Sequence, residues 1–449
     1  MILLFGESMF KNAIIKGTFI LTLTGFFTRL IGFFFRIFMS HAFGEEQMGL
    51  YQLIFPIYAL CFSISSAGLE TALARCVAQK ITYQKKKDAD ILLYQALLIS
   101  VSLTIILSLF VRKFSSALSI YILGDIRCET LLETMCFSLP FAAIHSCICG
   151  YYLGMKQTKV PALSQFVEQI ARVGSIFLIY KIFANSNQTP TVWIAVVGLV
   201  FGECISALFC IRYFFIRKHE SFSFTNTIRR SILGRELICL SVPLTSNRVL
   251  MNILQSVETI SIPICLQTFG QSNSEALSTY GVLTGMALPC IMFPTAVTNS
   301  VSTMLLPTVA EIQAENNLNR LKQLIQKVIL FGFGLGSICG ILFLLFGKFV
   351  GTILFDSELA GNFIRTLAWI CPFMYMNNTL ISILNGLGKA NSSFIINICG
   401  LTIRICGVWW GILHWGMEGY LKGLLISQLV VSFLCILQLR HYVKKRELI

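Results

Sequence analysis

The sequence predicts an all-α polytopic membrane protein. It should have twelve transmembrane helices in two six-helix lobes, a parallel repeat, around a central cavity. Three observations carry that expectation. Of the 449 residues, 55% are hydrophobic and only 12% charged, whereas a soluble domain carries about 25% charged residues. Apolar runs long enough to cross a bilayer recur along the whole chain. Features of the first half also return in the second half at a fixed offset.

Runs of about 20 apolar residues mark the spans. They fall near 13–39, 49–74, 91–111, 134–155, 160–183, 191–215, 237–266, 278–306, 325–346, 363–386, 393–413 and 418–439. The first run contains Arg29 and Arg36 and follows Lys11 and Lys16, so it reads as a retained first helix and not a cleaved signal peptide. Lys80, Lys85, Lys86 and Lys87 follow the second span, and Lys156 and Lys159 the fourth. Arg217, Arg229, Arg230 and Arg235 follow the sixth, Arg320 and Lys322 the eighth, Lys389 the tenth, and Arg440, Lys444 and Lys445 the last. The alternate loops are poor in base. This pattern predicts a cytoplasmic membrane protein with an even number of spans and both termini cytoplasmic. It also accounts for the net charge of +14 without a nucleic-acid partner.

The stretch 217–236 is the longest polar interruption and divides the chain into lobes 1–216 and 237–449. At an offset of 232, Pro140-Phe141 meets Pro372-Phe373, Gly154 meets Gly386, and Arg172 meets Arg404. Six spans return the chain to its starting side, so the halves run parallel, a design that places a substrate site between them.

Several motifs have plain readings. Gly332, Gly336 and Gly340 are four apart, the small-residue spacing of close helix packing, and no acidic ribose ligand follows them. The sixteen cysteines lie mostly in apolar runs and read as small helix residues. His145 and His414 stand without a second ligand at helical spacing, so no metal and no cofactor is expected. No nucleophile elbow, phosphate loop or catalytic carboxylate pair is present, and no enzyme is expected.

The intramembrane charges are the informative residues, because each is costly in hydrocarbon and so tends to face a bundle interior. Arg29 and Arg36 are seven apart, share one helix face, and suit phosphate oxygens. This suggests movement of an anion across the membrane, with Arg29, Arg36 and Arg248 as substrate-binding candidates. Glu70, Glu168, Arg172, Glu258 and Arg404 are ion-pair or coupling candidates. Glu168 and Arg172 are four apart and suited to pair, whereas Gly400 occupies the matching position before Arg404.

Lys16 to Gly44 (KGTFILTLTGFFTRLIGFFFRIFMSHAFG) followed by Gly49 to Tyr58 (GLYQLIFPIY) resembles the start of stage V sporulation protein B-like polysaccharide transporters. These belong to the multidrug/oligosaccharidyl-lipid/polysaccharide exporter superfamily. The resemblance implies two six-helix lobes and export of an undecaprenyl-pyrophosphate-linked saccharide, with a role in spore cortex peptidoglycan. Thr28-Arg29-Leu30-Ile31-Gly32-Phe33 is similar to the S-R-V-L-G-F run of lipid II flippases, which implies a cavity role for Arg29. Their second first-helix arginine aligns with Phe35, one position before Arg36, and Cys61 and Phe62 occupy the region of their second-helix arginine. The expected partners are an anionic lipid-linked glycan, membrane lipids and cell-wall synthases. The competing expectations are a Na⁺- or H⁺-coupled multidrug and toxin extruder, and a membrane scaffold that recruits synthases through 217–236.

Overall fold

Residues 2–185, 189–217, 227–315 and 317–447 are described by a computed structural model, and among them every regular element is helical. In chain order these are α1 (Ile2–Leu53), α2 (Phe55–Phe62), α3 (Gly68–Thr82), α4 (Lys86–Lys113), α5 (Ser115–Ala117), α6 (Cys128–Cys136), α7 (Ser138–Gly154), α8 (Lys159–Asn185), α9 (Trp193–Arg217), α10 (Thr227–Phe269), α11 (Asn273–Gly281), α12 (Leu288–Met292), α13 (Thr295–Ala314), α14 (Leu318–Phe355), α15 (Glu358–Leu367), α16 (Cys371–Gly386), α17 (Ala390–Cys406), α18 (Leu413–Trp415) and α19 (Met417–Glu447).

The chain is a multi-pass membrane protein of the twelve-helix class. Among the described residues, eight stretches are long and apolar enough to cross a membrane, or ten if each of two bent helix pairs is one span. Two further crossings have physical explanations. The stretch Leu23–Thr82 has 60 residues, about 90 Å of helix and far more than one bilayer crossing needs. It turns at Gly44, whose φ of 78° belongs to the left-handed region that glycine enters without a Cβ clash. Helix α8 falls short on hydropathy because Lys159, Glu168, Arg172 and Lys181 dilute its apolar residues.

The chain divides into two compact units, Met1–Phe35 with Leu53–Ser256 and Arg36–Gln52 with Val257–Ile449. The sequence places the lobe boundary at 217–236, of which residues 218–226 lie outside the described residues. The compact units are bounded elsewhere, inside α1 and α10, so each of these two helices contributes to both units.

In the first unit, α7 packs against α3, α4 and α9, around the buried residues Leu73, Val77, Leu92, Leu93, Tyr151 and Tyr152. Lipid tails are as apolar as these side chains, so close van der Waals fit holds the helices together more than hydrophobic transfer does. Gly198 and Gly202 on α9 show the fit most clearly. A Cβ at Gly198 would lie 2.1 Å from Ile176 Cγ1, and one at Gly202 3.0 Å from Arg172 Cβ. The two glycines let α8 close onto α9 at the level of the charged residues.

In the second unit, α14 packs against α16 as the glycine spacing predicts. A Cβ at Gly332 would lie 2.9 Å from Met376 Cα, one at Gly336 2.5 Å from Pro372 Cα, and one at Gly340 2.9 Å from the Ala368 carbonyl oxygen. Leu380, Ile383, Leu384 and Cys435 are buried beside this contact.

The repeat is visible in the backbone. Helices α7 and α16 end at Gly154 and Gly386, which are 232 residues apart. Lys156 (φ 60°) and Gly388 (φ 71°), again 232 apart, take the left-handed conformation that closes each helix. The closing hydrogen bonds also correspond. Gln157 N–H donates to Tyr152 O at 2.9 Å, and Lys389 N–H to Leu384 O at 2.9 Å.

Candidate functional site

Among the described residues, each unit holds a buried charged cluster centred on one of the two repeat-related arginines. In the first unit, Glu168 and Arg172 lie one turn apart on α8 and form a hydrogen-bonded ion pair. Glu203, on α9 and 7% exposed, extends the cluster. Its Oε1 lies 3.9 Å from Arg172 Nη2 and accepts from the Tyr58 hydroxyl of α2 at 3.2 Å. His145 of α7 completes the group, with Nδ1 3.7 Å from Glu203 Oε2 and 3.8 Å from Glu168 Oε2. Its Nε2 is 2.9 Å from Ser164 Oγ. Two carboxylates thus face one guanidinium and one imidazole in a low-dielectric interior, where charge is costly unless paired.

In the second unit, Glu258 of α10 is 2% exposed. Its Oε1 accepts from Arg404 Nε at 2.6 Å and from the Tyr420 hydroxyl at 2.7 Å. One carboxylate meets one guanidinium, and the cluster is electrically balanced. Gly400 leaves no acid one turn before Arg404, and the partner comes instead from 146 residues away.

Arg36 also belongs to the second unit. Its Nη1 donates to the carbonyl oxygens of Thr284 and Gly285, each at 3.3 Å. Both carbonyls lie in the π-helical turn Val282–Ala287, which runs into Pro289 of α12. Residue 289 would serve Gly285 O in α-helical spacing and Thr284 O in π-helical spacing, but proline has no N–H to give. The Arg36 guanidinium supplies the missing donor.

The remaining sequence candidates make other contacts. Arg29 is exposed on α1, three residues before Gly32, where a Cβ would meet Gln169 Nε2 of α8 at 3.5 Å. Arg248 is exposed on α10, and its Nη2 donates to Thr71 Oγ1 at 3.0 Å. Glu70 of α3 accepts from Ser146 Oγ at 2.8 Å. The structure therefore joins Glu168 with Arg172 and Glu258 with Arg404, whereas Arg36 meets the Val282–Ala287 turn, Arg248 meets Thr71 and Glu70 meets Ser146.

One expectation is corrected. His145 does have a second ligand-type residue at helical spacing, Cys149, four residues on along α7. Together with Cys210 of α9 it forms a group whose ligand atoms all lie within 4.8 Å of one another, and His145, Glu168 and Glu203 form another. Glu203, one of the intramembrane charges, and His145, Tyr58 and Tyr420 are the cluster members that were not among the site candidates chosen from the sequence. The Gly198-x-x-x-Gly202 spacing just before Glu203 is the signal that could have found the first of them, because it marks the α9 face that α8 approaches.

A family model described as polysaccharide biosynthesis protein matches residues 14–313, and one described as MatE matches residues 248–410. The stage V sporulation protein B of Bacillus subtilis (strain 168) is 26% identical over 402 residues, covering 88% of this chain and 77% of its own. The lipid II flippase MurJ of the same bacterium is 22% identical over 423 residues, covering 88% of this chain and 76% of its own. A solved inward-facing MATE-family multidrug resistance transporter of the MOP superfamily matches with a TM-score of 0.71 at 16% identity, over 94% of this chain and 95% of that one, which establishes a common fold. With the first model matching well over half of its residues, the chain belongs to the polysaccharide biosynthesis protein family.

Proposed function

We propose that this protein is a flippase that carries an undecaprenyl-pyrophosphate-linked saccharide across the cytoplasmic membrane by alternating access. The observation that carries the reading is the family match over residues 14–313, together with the likeness to a lipid II flippase along most of the chain. In this reading both termini are cytoplasmic and Arg29 grips the pyrophosphate, with Arg36 and Arg248 as weaker candidates. Arg29 fits the role because an exposed guanidinium on a membrane helix offers a planar fork of donors to phosphate oxygens. The likeness to a sporulation protein supports a role in spore cortex peptidoglycan, with cell-wall synthases as partners. The test is photocrosslinking or native mass spectrometry of the purified protein. A polyprenyl-pyrophosphate glycan should co-purify with the wild type and be lost in Arg29→Ala.

A second reading, a cation-coupled multidrug extruder, is favoured by the fold match to multidrug transporters and by the excess carboxylate at Glu168 and Glu203. Cation efflux that survives Arg29→Ala and fails in Glu203→Gln would support it.

A further inference from the structure

We propose that His145, Cys149 and Cys210 form a zinc site that clips α7 to α9 within the first unit. The three donor atoms lie within 4.8 Å of one another. The residues are 9%, 6% and 0% exposed respectively. Tetrahedral zinc with sulfur at about 2.3 Å places its ligand atoms roughly 3.5–3.8 Å apart, so each donor closes by about an ångström or less. His145 and Cys149 are one helical turn apart on α7 and present to the same side, and Cys210 meets them from α9. Ser164 Oγ, 2.9 Å from His145 Nε2 and 3.3 Å from Cys149 Sγ, marks the fourth position and brings in α8.

The donor set selects the ion. Thiolates reject hard cations such as Na⁺, Mg²⁺ and Ca²⁺ and favour zinc or cuprous copper. Charge then decides between those two. Binding Zn²⁺ displaces both thiol protons, and two thiolates with a neutral imidazole make the site electrically neutral. Cuprous copper on the same ligands would leave a negative charge buried among helices, which is costly.

An observation outside the trio supports the site. Zinc-bound histidines donate their second ring N–H to a carboxylate or carbonyl, which fixes the ring. His145 Nδ1 faces Glu203 Oε2 at 3.7 Å, and that buried oxygen has no hydrogen-bond partner among the described residues. Glu168 is committed to Arg172, so Glu203 is the carboxylate that can take the proton of Nδ1–H as a hydrogen bond. A shift of Glu203 Oε2 by less than about an ångström brings that contact to hydrogen-bond length.

The experiment uses the full-length protein without a histidine tag, expressed with zinc in the medium and purified in detergent. Elemental mass spectrometry should find one zinc per chain, and zinc-edge X-ray absorption should find two sulfur neighbours and one ring nitrogen at the distances typical of structural zinc. Zinc content should fall at least tenfold in Cys149→Ser and Cys210→Ser. It should persist in Cys147→Ser, which changes a buried cysteine of the same helix outside the trio. Glu203→Gln should weaken zinc binding about 10–100-fold in competition with a chromogenic chelator. The wild-type absorption spectrum needs no variant to fold. Zinc-free protein, zinc bound through oxygen and nitrogen only, copper in place of zinc, or equal zinc in the Cys149→Ser variant would each overturn the proposal.

Discussion

Arg36→Met removes the donor that stands in for the missing N–H of Pro289, and the structure sets the size of the effect. Two carbonyl acceptors, Thr284 O and Gly285 O, each lose a hydrogen bond of 3.3 Å from a charged donor. Gly285 is buried. Both bonds are slightly longer than the usual N–H···O range of about 2.7–3.2 Å, which argues against the top of the scale for charged donors. The expected cost is therefore about 1–3 kcal/mol for the pair. Pro289→Ala restores a backbone N–H at the position both carbonyls need, so it should rescue Arg36→Met. Removing a helix-interior proline gains at most about 3 kcal/mol. That gain should be smaller when Arg36 is present, because its guanidinium already serves both carbonyls. The assay is a double-mutant cycle on equilibrium unfolding in detergent, followed by intrinsic fluorescence, with an expected coupling of about 1–3 kcal/mol. Single effects that add to within about 0.5 kcal/mol would show that Arg36 does not replace the missing Pro289 N–H. The cycle also sorts the roles of Arg36. Transport regained in the double variant would make Arg36 a helix-supporting residue, and transport still absent in a stable double variant would make it a substrate ligand.

Three further outcomes follow from the same structure. Arg404→Met strands Glu258, 2% exposed, with the Tyr420 hydroxyl as the donor left from its cluster. It should cost about 3–5 kcal/mol, and adding Glu258→Gln should recover more than half of that in thermal unfolding. Gly336→Leu drives a side chain into the Pro372 backbone and should lower stability by at least about 1–3 kcal/mol, whereas Gly334→Ala, with nothing within 4 Å of its Cβ, should leave thermal unfolding unchanged or slightly raised. If the cargo carries uncompensated negative charge outward, an inside-negative potential assists it by about 2.3 kcal/mol per charge per 100 mV. Flipping in proteoliposomes should then slow when valinomycin and equal potassium collapse the potential, and an unchanged rate would exclude that drive.

Much of this architecture is legible in the sequence because hydrocarbon imposes a length and a composition on every span. The 232-residue offset was readable for the same reason that it survives in the backbone. Gly154 and Gly386 end equivalent helices, and the left-handed closing residue recurs at Lys156 and Gly388. Glu168 with Arg172 was readable because a helix sets its own one-turn neighbours. Glu258 with Arg404 was not, because their pairing is a tertiary contact across 146 residues and local spacing is silent about it. The role of Arg36 was hidden likewise, since a proline's missing donor is visible in sequence but the residue that replaces it is not. The compact units change over inside α1 and α10, because long continuous helices can belong to two packing groups at once.

Direct capture of the lipid shows whether an arginine on the first membrane helix grips a lipid-linked pyrophosphate, as proposed. Purified protein in nanodiscs should retain a polyprenyl-pyrophosphate glycan in native mass spectrometry. Retention should fall at least tenfold in Arg29→Ala, about 1.4 kcal/mol or more, with partial retention in Arg29→Lys, which keeps the charge but not the bidentate fork. Equal retention in the wild type and in Arg29→Ala would rule out Arg29 as the pyrophosphate ligand.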